Sequence, residues 1–122
     1  MSKQNPQKAN FEAGFEPGSI GRITKKTVRF DDLEVTKVRF PVGVSVTQEG
    51  KTSGVLDGGS CPLPHTGYIL SGTLGIKQDN GFEETYRAGD VMLLPPGHEA
   101  WTIGEEDCVF IEFSKGHADF YV

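Results

Sequence analysis

The chain has 122 residues, a formal net charge of −5 and 36% hydrophobic residues, which fits one soluble globular domain with its own core. No apolar run approaches the roughly 20 residues that a membrane-spanning helix needs. Residues 1–21 also lack the apolar segment of a secretion signal, so we expect a cytoplasmic protein with no membrane partner. The acidic balance disfavours nucleic acid as a partner. Cys61 and Cys108 suggest no disulfide framework, and both are expected to be thiols.

Residues 1–21 mix Asn, Gln, Lys, Gly and Pro, a composition typical of a flexible leader or of an arm that docks on the body or on a neighbouring subunit. Phe11 and Phe15 favour docking, because an apolar ring gains from burial. We therefore divide the chain into a leader, 1–21, and one domain, 22–122.

Short segments rich in Val, Ile, Thr and Phe, separated by Gly and Pro, predict strands over most of the domain. The predicted strands cover 27–30, 34–40, 43–48, 67–70, 73–78, 82–86, 91–94, 101–103, 108–113 and 118–121. Residues 48–60 predict a long Gly-rich loop, and residues 79–81, Asp-Asn-Gly, predict a hairpin turn. About ten short strands without a convincing helix favour an all-β sandwich or barrel.

Two segments make this prediction more specific. Residues 89–97, GDVMLLPPG, form a turn, a short apolar strand and a stop, because Pro95 and Pro96 cannot donate to a sheet ladder. This segment resembles the second motif of the cupins, and residues 67–72, GYILSG, resemble the end of the first cupin motif. The resemblance extends over residues 42–113. It implies an all-β fold, a cupin-type double-stranded β-helix or jelly-roll barrel, with any function in the barrel cleft.

The resemblance also implies a metal site, which cupins usually build from two His and a Glu of the first motif and one His of the second. Those first-motif positions fall on Gly59, Cys61 and His65, and the second-motif position falls on Ala100. Gly59 and Ala100 carry no ligand atom, and His98 is the nearby substitute for the second-motif His. The remaining candidate ligands are therefore Cys61, His65 and His98.

A thiolate with two imidazoles suits zinc best, and iron, manganese or copper less well. Three protein ligands leave one coordination position open, which is the arrangement of a catalytic site. The alternative is a cupin that has lost its metal. Cys61 would then be a small buried residue, and His98 would bind a backbone carbonyl.

The candidate catalytic residues are His65 and Glu112, and strand alternation bears on the direction of both side chains. If His65 points inward, so does Ile69, with Tyr68 and Leu70 outside. Glu112 shares a strand face with Cys108 and Phe110, whereas the opposite face, which is apolar throughout, is expected to face the core (Val109, Ile111, Phe113). Glu112 is then expected to face solvent. If it pointed inward instead, it would be a fourth ligand or a general base with a raised pKa.

Three functions stay open at this level. The first is a metal-dependent oxygenase, isomerase or lyase acting on a small organic molecule, and the second is a non-enzymatic cupin that senses a ligand or a metal. The third is a metal-free acid–base enzyme that uses His65 with Glu112 or Tyr68. The resemblance further implies a homodimer paired through outer strands. No motif in the chain identifies the substrate.

Overall fold

The computed structural model describes residues 5–31, 33–54 and 60–114. In these residues the elements follow in the order β1 (Glu16–Ile20), β2 (Ile23–Arg29), β3 (Glu34–Phe40), α1 (Val46–Ser53), β4 (His65–Ser71), β5 (Thr73–Gln78), β6 (Glu83–Arg87), β7 (Val91–Leu94), β8 (His98–Thr102) and β9 (Cys108–Ser114). The strand predicted over 118–121 lies outside the described residues.

The strands form two antiparallel sheets that share one core. The larger sheet has the order β1-β2-β3-β9-β4-β7, and the smaller has the order β6-β5-β8. Ile69 and Met92 of the larger sheet pack in the same buried cluster as Leu74 and Ile76 of the smaller one. The predicted all-β architecture is therefore confirmed. In the described part of the chain no helix is long and apolar enough to cross a membrane.

The segment before residue 21 contributes a strand to the larger sheet. β1 pairs with β2 from Glu16 opposite Thr27 to Ile20 opposite Ile23. The Lys26 ammonium lies 4.9 Å from the centre of the Phe15 ring, a cation–π contact. Residues 15–20 thus contact the body of the chain through β2, whereas the division of the chain at residue 21 stays a prediction.

The helix α1 corrects the strand predicted over 43–48 and much of the loop predicted over 48–60. Ser45 is the N-cap, and its hydroxyl oxygen accepts a hydrogen bond from the Gln48 N–H at 3.2 Å. The helix ends at Ser53, and Gly54, whose φ is +81°, is its C-cap. Val44 and Val46 are buried, as a strand would also require, so their alternation misled the prediction. The Ser45-x-x-Gln48 spacing is a capping-box pattern and indicates the helix start.

An ion pair between the buried Glu49 and the exposed Arg22 joins α1 to the β1–β2 turn. The Glu49 carboxylate accepts hydrogen bonds from the Arg22 backbone N–H at 2.7 Å and from the Arg22 guanidinium at 2.9 Å. These hydrogen bonds lower the pKa of Glu49 and keep it ionised.

The outer face of the larger sheet exposes five large apolar side chains, which we call the outer patch: Tyr68, Leu70, Val91, Leu93 and Phe113. Val91 and Leu93 on β7 are 74% and 70% exposed. Tyr68 and Leu70 face outward, as strand alternation predicted, while Ile69 between them is fully buried. Tyr68 lies opposite Val91 in the sheet, and a group of exposed apolar side chains on one sheet face is typical of an interaction site.

Candidate metal centre

His65 begins β4 and points into the space between the two sheets. Its side chain is 20% exposed, and its ring Nδ1 lies 2.7 Å from Oε1 of Glu112 on the neighbouring strand β9. Nδ1–H therefore donates to the carboxylate, which leaves Nε2 as the ring atom available for other contacts. The position of Ile69 on the same strand face, at 0% exposure, agrees with the inward direction predicted from alternation.

Glu112 lies on the interior face of β9, so the prediction that it faces solvent is wrong. Cys108 and Phe110, which share its face, are 0% and 5% exposed, whereas Phe113 on the opposite face is 41% exposed. The prediction failed because the opposite face, which carries Phe113 of the outer patch, is apolar as well. Hydrophobicity alone therefore does not tell the two faces of β9 apart.

Cys61 is connected to His98 through the backbone. The Cys61 N–H donates to the His98 carbonyl at 2.8 Å, and the Gly97 N–H donates to the Cys61 carbonyl, also at 2.8 Å. The Cys61 side chain is buried, with its Sγ 3.4 Å from Nε2 of His65. Pro62 and Pro64 stiffen the short connection between the two residues.

His98 begins β8 and is only 2% exposed. Its Nδ1 donates to the Pro95 carbonyl oxygen at 2.8 Å, and its ring lies edge-on to that of His65 with the centres 5.1 Å apart. The carbonyl hydrogen bond expected of a cupin without metal is therefore present. It occurs, however, together with a cluster in which His98 faces Cys61 and His65.

The three predicted ligands come together in space. One ligand atom from each of Cys61, His65 and His98 lies within 4.8 Å of the other two. Zinc bound to sulfur at about 2.3 Å and to nitrogen at about 2.0–2.1 Å needs ligand atoms somewhat closer than this, which small side-chain rotations can supply. Both histidines donate their Nδ1–H to a protein oxygen, which is what metal-bound histidines do with the ring nitrogen that does not bind the metal. The residues present therefore fit a metal ion. Ala100, at the usual second-motif position, is buried and offers no ligand, and Gly59 lies outside the described residues.

The cluster is strongly polarised. Burial would raise the pKa of the Cys61 thiol, but hydrogen bonds with His65 and His98 outweigh burial and lower the pKa to about 6. Burial would lower the pKa of His65, but its hydrogen bonds to Cys61 and Glu112 raise it to about 9. Without a metal, the pair is thus a thiolate and an imidazolium at neutral pH. In contrast, burial raises the pKa of Cys108 to about 12.

The cluster lies in the wall of a cavity of about 100 Å³ between the sheets. Most of the lining is apolar, and the polar members are Lys25, Cys61, His65, His98 and Glu112. Tyr68 is absent from this lining, so Glu112, and not Tyr68, is the residue that lies beside His65 in the cavity. Lys25 is a lining residue for which no role was predicted, although its alternation with buried Ile23 on β2 indicates an inward side chain.

Solved structures share this architecture. A cupin described as RmlC-like, from Shewanella frigidimarina, is 19% identical, with a TM-score of 0.59 over 97% of this chain and 99% of its own. The chain has the cupin fold. KdgF from Halomonas sp. is 21% identical, with a TM-score of 0.58 over 91% of this chain and 94% of its own. A Klebsiella pneumoniae protein with a double-stranded β-helix domain is 21% identical, with a TM-score of 0.57 and 89% of each chain covered. No protein-family model matches the chain, and no curated protein matches it.

Proposed function

We propose that this cupin binds one divalent transition metal, preferably zinc, through Cys61, His65 and His98, and uses it to transform a small organic molecule in the cavity. The observation that carries the proposal is the direction of the ring nitrogens. Glu112 accepts a hydrogen bond from Nδ1–H of His65, and the Pro95 carbonyl accepts one from Nδ1–H of His98. The Nε2 atoms of both rings are therefore available to bind a metal together with the Cys61 sulfur.

The expected reaction is an isomerisation or an elimination of the lyase type. A bound zinc ion would supply Lewis-acid polarisation of a substrate oxygen, and zinc carries no redox chemistry, which disfavours the oxygenase. Glu112 keeps His65 in the tautomer that binds metal through Nε2, and its carboxylate lines the same cavity. Glu112 is therefore the group placed to accept a proton from a bound molecule. The apolar walls exclude water and strengthen these electrostatic contacts.

Metal titration of the purified, chelator-treated chain tests the proposal. We expect one zinc per chain by calorimetry and elemental analysis, and a loss of affinity of at least about tenfold in each of Cys61→Ser, His65→Ala and His98→Ala. His117→Ala, which removes the remaining histidine of the sequence, is the matched control and should bind zinc like the wild type. Circular dichroism of the metal-free variants checks that they fold. Failure to bind one equivalent of zinc, iron, manganese or copper would refute the proposal, as would equal zinc affinity in all four variants.

A metal-free acid–base enzyme is the second candidate, because Nδ1 of His65 and Oε1 of Glu112 are 2.7 Å apart and can pass a proton between them. The two candidates differ in their response to chelators. An acid–base enzyme keeps its activity when metal is removed, whereas the metal enzyme loses it and regains it with zinc. Strong stabilisation by a ligand without turnover would favour a sensing role instead.

A further inference from the structure

The cavity has one charged side chain that the metal cluster does not use. Lys25 lines the cavity, and within residues 5–31, 33–54 and 60–114 its ammonium has no hydrogen bond or ion pair. The next residue, Lys26, points to the opposite face of β2 and pairs with Glu12 at 3.3 Å. Among the residues that the structure describes, the inward Lys25 therefore has no ion pair, whereas its outward neighbour Lys26 has one.

The position of Lys25 follows from its neighbours on the sheet. On β2 it lies two residues after Ile23, which is 2% exposed, and its cross-strand partners are Val38 on β3 and Gly18 on β1. A Cβ at Gly18 would lie 3.8 Å from Cε of Lys25, so the aliphatic stem of the lysine runs over the glycine. Lys25 as a whole is half-buried, and it belongs to the lining of a mostly apolar cavity.

The other residues that line the cavity indicate which kind of molecule it can bind. Phe40, Leu74, Leu94 and Phe110 line the cavity and offer no hydrogen-bond donor or acceptor in their side chains. The cavity of about 100 Å³ is several times the space that one water needs, yet it is small for a sugar or a nucleotide. An apolar chain of a few carbon atoms fits such walls, and an anionic end group satisfies the ammonium.

We propose that the cavity binds a short aliphatic monocarboxylic acid, with its carboxylate on Lys25 and its chain among the apolar walls, directed toward Cys61, His65 and His98. This names the substrate class of the proposed function and rests on that function for the chemistry. The binding itself depends on Lys25 and the walls. It can therefore be tested in the metal-free chain as well as in the zinc-loaded one.

In the test, butanoate and, in parallel, the uncharged butanamide are titrated into isotope-labelled protein, and binding is monitored by NMR. We expect butanoate to shift the amide signals of cavity residues such as Ile23 and Phe110, and butanamide to bind at least about tenfold more weakly. Lys25→Met keeps the length and apolar character of the stem and should weaken butanoate binding about ten- to hundredfold. Lys25→Arg should retain most of the affinity. Lys26→Met is the matched control, because it removes a neighbouring charge on the opposite face.

The outcomes separate this proposal from the metal proposal. Butanoate binding that Lys25→Met abolishes and Lys26→Met preserves supports the carboxylate site, whether or not zinc binds. Equal binding of butanoate and butanamide, equal effects of the two methionine variants, or no butanoate binding to either form overturns it. Zinc affinity is measured on Lys25→Met as well and should be unchanged. A chain that binds zinc but no butanoate therefore loses this inference and keeps the metal centre.

Discussion

In the chelator-treated protein, Cys61 should be a thiolate at neutral pH, and His65→Ala should convert it back to a thiol. Burial raises the pKa of Cys61, but the hydrogen bonds with His65 and His98 outweigh burial and hold it at about 6. At pH 7 a group with that pKa is about nine-tenths ionised, whereas a free cysteine with a pKa near 8.5 is only about 3% ionised. Without the imidazole, burial acts with less compensation, so the pKa should rise and the thiolate should disappear.

The ionised fraction of Cys61 is measured as a function of pH from the ultraviolet absorbance of the thiolate. Cys108 stays protonated throughout the useful range, because burial raises its pKa to about 12, so a single cysteine titrates. Cys61→Ser supplies the blank. A midpoint near or above 8.5 in the wild type would contradict the ion pair. An unchanged midpoint in His65→Ala would show that His65 is not the cause of the low pKa.

Two further predictions concern the fold and its surface. Gly72 has φ +78°, and a Cβ there would lie 2.3 Å from the Asp107 carbonyl oxygen, so Gly72→Ala should lower the free energy of unfolding by at least about 3 kcal/mol in urea denaturation. Gly89→Ala, at φ +96° with open space around it, should cost only about 1 kcal/mol, and equal costs would refute the steric reasoning. If the outer patch joins two copies of the chain, as the outer-strand pairing of cupins implies, Leu93→Glu should turn a dimer into a monomer by light scattering. Phe82→Glu, at a position 62% exposed outside the patch, should not, and a wild type that is monomeric at high concentration would disprove the pairing.

The sequence predicted the barrel well because its strands are bounded by clear turn signals. Pro95 and Pro96 stop β7, and residues 79–81 lie between β5 and β6, as the hairpin signal predicted. The helix was missed because Val44 and Val46 alternate like a strand, although Ser45 and Gln48 provide the capping interaction of a helix. In this segment the apolar alternation indicated a strand and the capping residues indicated a helix. The tertiary packing of α1 favours the helix.

The candidate ligands were predicted from motif positions, and the structure brings the three side chains together. Glu112 could not be placed with them from the sequence, because both faces of β9 carry apolar residues. Which face points inward depends on which one packs against the second sheet. Lys25 was missed for a related reason. A charged residue next to Lys26 on a strand is normally assigned to solvent, although alternation with the apolar Ile23 gives Lys25 the inward direction that the cavity lining confirms.

The candidate ligands come from different sheets, and this has a consequence for how the chain unfolds. His65 belongs to the larger sheet and His98 to the smaller one, where it is opposite Gln78 on β5. Their positions in the chain lie far apart, so they meet only after β4 and β8 have both found their partners. An ion held between them would form its bonds late, after the folding barrier has been crossed. We therefore expect zinc to leave the folding rate nearly unchanged and to prolong the lifetime of the closed barrel.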